Sequence, residues 1–353
     1  MKSRRSGLPD IVKFIACICI MAGHYSYIFQ QEYENVKVSR VFFTECSARL
    51  SACVALFFVI SGFFAARSFD RLADKKQSYG DFIKKKVLRL FPGMWVSMLY
   101  FVLFAVLFLV RNGHWWGNRN VSLSEFILAA CGVNMWTAGT ANKINGPIWY
   151  ISILFLNMLL FGFISSCRLT KPQKKACFAV MIALGLSVMN LKWGFTFLAQ
   201  KTARGYAAFF TGVLLGLFAD RIRYKGLIGW TGVLLTAALS VIGRYAGMNL
   251  IGDNIIVYTF VLTPALLLLS DTKPFTSDAV SNGFTSYLGR ISFPIFLTHI
   301  PCYVLFSALF ADTMPYNSYK TFLLVFAMTF VLAVLLEKLA AKIRIDGIIR
   351  QEI

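Results

Sequence analysis

Apolar runs close to 20 residues long recur along almost the whole of this chain, and they leave it little choice of fold. Within a bilayer every backbone N–H and C=O must be satisfied inside the protein, so such runs cross as helices. They fall at about 8–29, 48–66, 90–110, 145–167, 176–191, 205–220, 226–243, 253–270, 287–310 and 320–341. Hydrophobic residues make up 58% of the 353 residues, Phe alone occurs 34 times, and a water-soluble chain would not tolerate that. Mean hydropathy is +0.65. The sequence therefore predicts an all-α, polytopic integral membrane bundle of about ten transmembrane helices, one membrane-embedded domain spanning residues 1–353. Two of the runs, 176–191 and 205–220, are short for a bilayer. The segment Ser122 to Trp136 reads as a short helix at the outer face, because a full crossing there would put the Arg168–Lys175 basic cluster outside.

The formal net charge is +20, from 36 Lys and Arg against 16 Asp and Glu. In a membrane protein such an excess reports topology, because Lys and Arg collect in cytoplasmic loops. The clusters at Lys2, Arg4 and Arg5, at Arg67 to Arg89, at Arg168 to Lys175, at Arg221 to Lys225 and at Lys342 to Arg350 fall in every second connection. Both termini are then expected in the cytoplasm, and nucleic acid is not expected as a partner. The opening MKSRRSGLPD resembles a secretory signal, but no small-residue cleavage site follows and the apolar run holds ionisable groups, so it reads as a retained helix. The eight cysteines show no ligand spacing and read as small apolar residues, with no metal site expected.

That first run, LPDIVKFIACICIMAGHYSYIF, carries Asp10, Lys13 and His24. Ionisable groups in a membrane helix are costly and mark function more often than packing. Lys13 and His24 are eleven residues apart, which places them on one stripe, roughly 20° from eclipsed and about 16 Å apart along the axis. A neutral imidazole deep in the membrane can accept a proton from a hydroxyl. The plain alternative is a histidine hydrogen-bonded between helices, and Asp10 with Lys13 can equally be a self-neutralising i,i+3 pair.

These residues resemble the opening of the acyltransferase-3 membrane O-acyltransferases, whose first helix carries Arg or Lys and then His, with ten residues between. Four further segments extend the resemblance over most of the chain. Leu56–Phe63 is similar to the family's FFxxSG helix. Phe82–Pro92 resembles its basic entry into the third helix, with Lys86 where the RxxR pattern has its first Arg, a change that keeps charge but loses the guanidinium fork. Asn145–Tyr150 looks like its Pro-x-Trp-aromatic helix start, and Ile291–His299 like its late S-x-x-x-[YF]-L-x-H helix. Nothing in the chain resembles the extracytoplasmic hydrolase-like domain that some members carry.

The resemblance implies acyl transfer, by default O-acetylation, from cytoplasmic acyl-CoA to a hydroxyl of a cell-surface glycan or glycolipid, in the bacterial inner membrane. It implies His24 as catalytic base and Lys13, Lys86 and Arg89 as cations for the donor's phosphates, with no cofactor bound beyond the acyl-CoA substrate. Direct attack by the acceptor and an acyl-histidine intermediate both remain open. Asp10, Ser61, Trp149 and His299 are candidate supporting residues, although Ser61 in a Ser-Gly pair also suits helix packing and Lys86 and Arg89 also suit positive-inside bias. Glu45 and Arg49, an i,i+4 pair on the outer side, can orient a sugar or simply pair with each other. Trp115, Trp116 and Trp136 can stack on sugars or form an interfacial belt, and His114 has no assigned role. Polysaccharide-assembly proteins are candidate partners. The rival class is an exporter of glycan units, which many helices and scattered prolines also suit. A carrier should place carboxylates at the midplane, and these spans hold histidines and peripheral cations instead.

Overall fold

The computed structural model describes residues 6–29, 45–118, 122–136, 144–191, 194–246, 254–310, 313–314 and 319–346. Among them no β-strand forms beyond one isolated bridge between Phe195 and Leu198. The helices of eight or more residues are α1 (Leu8–Phe29), α2 (Leu50–Ala65), α3 (Tyr79–Asn112), α4 (Leu123–Ala130), α5 (Ile148–Ser166), α6 (Lys171–Leu191), α7 (Gln200–Phe218), α8 (Lys225–Tyr245), α9 (Ile255–Ser270), α10 (Gly283–Phe310) and α11 (Tyr319–Asp346). Nine helical segments among the described residues are long and apolar enough to cross a membrane, and α9, with 16 residues, is a shorter apolar helix. This is an all-α polytopic bundle.

The expected lengths of two runs are corrected, and the expected short helix after Ser122 is present. The runs at 176–191 and 205–220 are not short, because α6 starts at Lys171 and α7 at Gln200. A helix does not stop where hydrocarbon stops, and only the polar residues of these first turns hid the true starts. The segment from Ser122 forms an eight-residue helix, α4, capped by Ser122 accepting from the Glu125 N–H, and is far too short to cross. The terminal basic residues Lys2, Arg4, Arg5 and Arg350 lie outside the described residues.

The core is built around α10, which packs on α1, α3 and α11. In its most apolar window 78% of residues are buried, against 17% for α8, so α10 is central and α8 faces lipid. On the other side α2 packs on α7 and α7 on α6. The α2–α7 contact is backbone on backbone: a Cβ at Gly62 would collide with the Phe209 carbonyl, and one at Gly212 with that of Val59. Helix α3 has 34 residues and is about 51 Å long, well beyond the ~30 Å hydrocarbon core. Its first turns, capped by Ser78, therefore carry Lys84, Lys85, Lys86 and Arg89 beyond or to the edge of the apolar layer.

Candidate active site

Helix α1 begins Leu8-Pro9-Asp10, proline and an acid in the first turn as a helix N-terminus favours. The Asp10 carboxylate lies against the bare backbone of Gly289 on α10, where any Cβ would overlap it. Its side chain is only 4% exposed, and it holds Lys13 at 2.6 Å. Asp10 thus anchors α1 to α10 and orients the Lys13 ammonium.

Lys13 faces a cavity of about 710 Å³ between α1, α2, α3, α5, α10 and α11. Among the described residues six cations line it: Lys13, Arg67, Arg71, Lys86, Arg89 and Arg290. Among the described residues only Asp10 and Glu337 oppose them, a formal excess of four positive charges. Lys13, Lys86 and Arg89, chosen from the sequence, converge here with Asp10 and Ser61. Arg67, Arg71 and Arg290 also line it. Arg67 sits over the Phe64 ring at 4.7 Å, Arg71 donates to Ser68 at 3.3 Å, and Arg290 pairs with Glu337 at 2.7 Å. Each was visible as a charge beside a recognised motif but carried no spacing that distinguishes a ligand from a topology signal. The Ser61-Gly62 pair divides its labour. Gly62 packs on α7, while Ser61 reaches the cavity and shares a hydrogen bond of 3.3 Å with the Tyr150 hydroxyl.

His24 lies eleven residues along α1 from Lys13 and is not part of the cavity wall. Its Nδ1 is 3.0 Å from Nε2 of His299, with the two ring planes 14° apart. His299 is completely buried, and its Nδ1 is 2.8 Å from the Phe296 carbonyl. This chain fixes both tautomers of the neutral pair. A carbonyl can only accept, so His299 Nδ1 carries a proton and His299 Nε2 is a bare acceptor. His24 must then donate through Nδ1, which leaves the lone pair on His24 Nε2 available to a hydroxyl proton. Tyr303 closes the group edge-on to His299 at 5.7 Å, and its hydroxyl is pinned to the Met21 carbonyl at 2.5 Å.

The remaining candidates fall elsewhere. Trp149 is not in the cavity wall; it packs on Phe58 and lies beneath Lys201, and the next residue, Tyr150, takes the inward position. Glu45 and Arg49 pair with each other. Trp136 donates to the Ser152 carbonyl at 3.0 Å and Trp116 to Ser307 at 3.4 Å, so both indole N–H groups have partners within the fold. The polar residue at the head of the Asn145–Tyr150 motif has a structural task that the sequence reading missed. Pro301 has no N–H to give the Leu297 carbonyl four residues earlier, and the Asn145 amide supplies one at 3.0 Å while also donating to Ser97. One buried amide thus ties α3 to the proline break in α10.

The family model for an acyltransferase domain, acyltransferase-3, matches residues 8–338. The chain belongs to the acyltransferase-3 family. No curated protein and no solved structure matches it significantly. The match covers the whole cavity except Ser6 and Ala340 at its rim, together with the His24–His299 pair. The protein is thus an integral membrane acyltransferase, and within this acyltransferase-3 chain a cation-lined cavity and a tautomer-fixed imidazole stand at two levels of α1.

Proposed function

We propose that this acyltransferase moves an acyl group, acetyl by default, from cytoplasmic acyl-CoA to a hydroxyl of a cell-surface glycan or glycolipid in the bacterial inner membrane. The observation that carries the reading is the pairing on one helix of Lys13 in a cavity of six cations with His24 held as a proton acceptor. The nucleotide end of CoA bears about four negative charges near neutral pH, on a diphosphate and a phosphate monoester. The cavity's excess of four positive charges matches that total. Its arginines offer the forked donors that phosphate oxygens prefer, with Lys13 and Lys86 as point charges beside them.

Transfer then proceeds by direct attack. His24 Nε2 takes the proton of the acceptor hydroxyl, and the oxygen adds to the thioester carbonyl. The C–S bond breaks as the C–O bond forms, and the CoA thiolate leaves with the proton returned from His24. His299 keeps the imidazole in the productive tautomer and shares the charge it gains. The exporter reading has less support. The cavity ends against packed rings, and among the described residues the buried carboxylate it contains, Asp10, sits at one end of α1 rather than at mid-depth.

Transfer of radiolabelled acetyl from acetyl-CoA to cell-envelope glycan, in membranes carrying His24→Ala, tests this. Loss of transfer with acetyl-CoA binding retained is the expected result. Full transfer by a folded His24→Ala protein removes the histidine from the mechanism, and label recovered covalently on wild-type His24 replaces direct attack with an acyl-enzyme.

A further inference from the structure

The cavity and the histidine pair do not meet, and what separates them is aromatic. Phe57 of α2, Tyr150 of α5 and Phe296 of α10 all line the cavity. Their ring centroids are 6.1 Å apart for Phe57–Tyr150, 5.9 Å for Phe57–Phe296 and 5.5 Å for Tyr150–Phe296. Each ring therefore touches the other two. Tyr150 is fixed by its hydrogen bond to Ser61 and by Phe58, whose ring is 4.6 Å behind it. Phe296 is 3% exposed and packs on His299 at 6.0 Å, with His24 at 5.1 Å beyond. His299 follows Phe296 by three residues, so the cavity stops one helical turn short of the imidazoles.

We propose that Phe57, Tyr150 and Phe296 form the end wall of the acyl subsite and restrict the donor to short-chain acyl thioesters, with Phe296 as the specificity-determining ring. The inference rests on the donor reading above and adds which donors fit. A donor whose phosphates lie among the cations points its acyl end along the cavity toward these rings. A two-carbon group stops against them, and each further methylene has to displace a ring that two others hold in place. Phe296 is also the one ring of the three packed directly on the His24–His299 pair. The same rings serving only as packing would contribute to stability and have no effect on the choice between acyl groups.

The test is titration of acetyl-, butyryl- and hexanoyl-CoA into the purified full chain, wild type against Phe296→Ala and Phe57→Ala, with free CoA as competitor. Burying one methylene is worth about a fourfold gain in affinity, so admitting the two extra methylenes of butyryl shifts the butyryl-to-acetyl ratio by about 15-fold. The wall predicts a wild type that favours acetyl-CoA and alanine variants in which that ratio rises by about this factor. An unchanged ratio in folded variants, or a wild type that binds hexanoyl-CoA as well as acetyl-CoA, overturns the wall and leaves the donor assignment standing. A folded wild type that binds no acyl-CoA overturns both. If the alanine variants fail to fold, Phe296→Leu keeps most of the packing volume and must move the ratio in the same direction.

Discussion

Replacing His299 by leucine tests the tautomer argument where it is most exposed. The substitution removes the Nε2 acceptor that His24 Nδ1 reaches at 3.0 Å, and it leaves an apolar side chain at a completely buried position. A buried N–H without a partner costs about 1–3 kcal/mol, and the imidazole escapes that cost by moving its proton to Nε2 or by turning its ring. Either response withdraws the lone pair that accepts the hydroxyl proton. The catalytic tautomer is then disfavoured by about the same 1–3 kcal/mol, a loss of roughly 5- to 150-fold in kcat. The donor KM should stay within about twofold, because neither histidine is part of the cavity wall that carries the cations. His299→Gln restores an acceptor oxygen in the same region and should recover part of the loss. The assay is initial-rate transfer of labelled acetyl in membranes with matched protein levels, read together with acetyl-CoA affinity. A folded His299→Leu protein with kcat within twofold of wild type refutes the relay, as does a loss that appears only in KM.

Other consequences follow from the same geometry. Because Arg67 and Arg71 line the cavity with Lys86 and Arg89, Arg71→Ala should weaken acetyl-CoA binding about 10-fold, as expected for one charge-assisted contact, and should flatten its dependence on KCl; an unchanged salt slope would make Arg71 a topology signal only. Asn145→Ala leaves the Leu297 carbonyl, already without its helical donor, unsatisfied at a buried break. It should cost about 1–3 kcal/mol, read as a fall in the temperature of aggregation by fluorescence-detected gel filtration. Gly62→Val forces α2 off the Phe209 backbone and should cost about 1–3 kcal/mol in the same measurement. Ser61→Ala removes only a hydroxyl and should leave assembly intact.

The helical bundle was legible because a bilayer permits little else: apolar runs of membrane length have to be helices, and they are. What the pattern misplaced were helix starts at Lys171 and Gln200, where polar residues continue a helix beyond the apolar window. Within the site, Asp10, Lys13, Ser61, Lys86 and Arg89 line one cavity, and His24 lies against His299. Sequence position alone could not reveal Arg67, Arg71 and Arg290, since a lining arginine and a positive-inside arginine look identical in one dimension. Trp149 drew attention as an indole donor, but the phase of α5 turns Tyr150 inward instead. The separation of cavity from imidazole by Phe296 was likewise hidden, because it depends on three helices meeting rather than on spacing along one.

The most direct test of the account is calorimetric titration of acetyl-CoA into the purified wild-type protein, beside Lys13→Ala and Arg89→Ala. Both side chains line the cavity from different helices, and removing a charged partner of a phosphate should weaken binding about 10-fold or more in each. Micromolar binding by the wild type that both substitutions weaken is the predicted result. Folded wild-type protein that binds no acetyl-CoA, or binds it equally well without Lys13 and Arg89, would contradict the assignment of this cavity to the acyl donor.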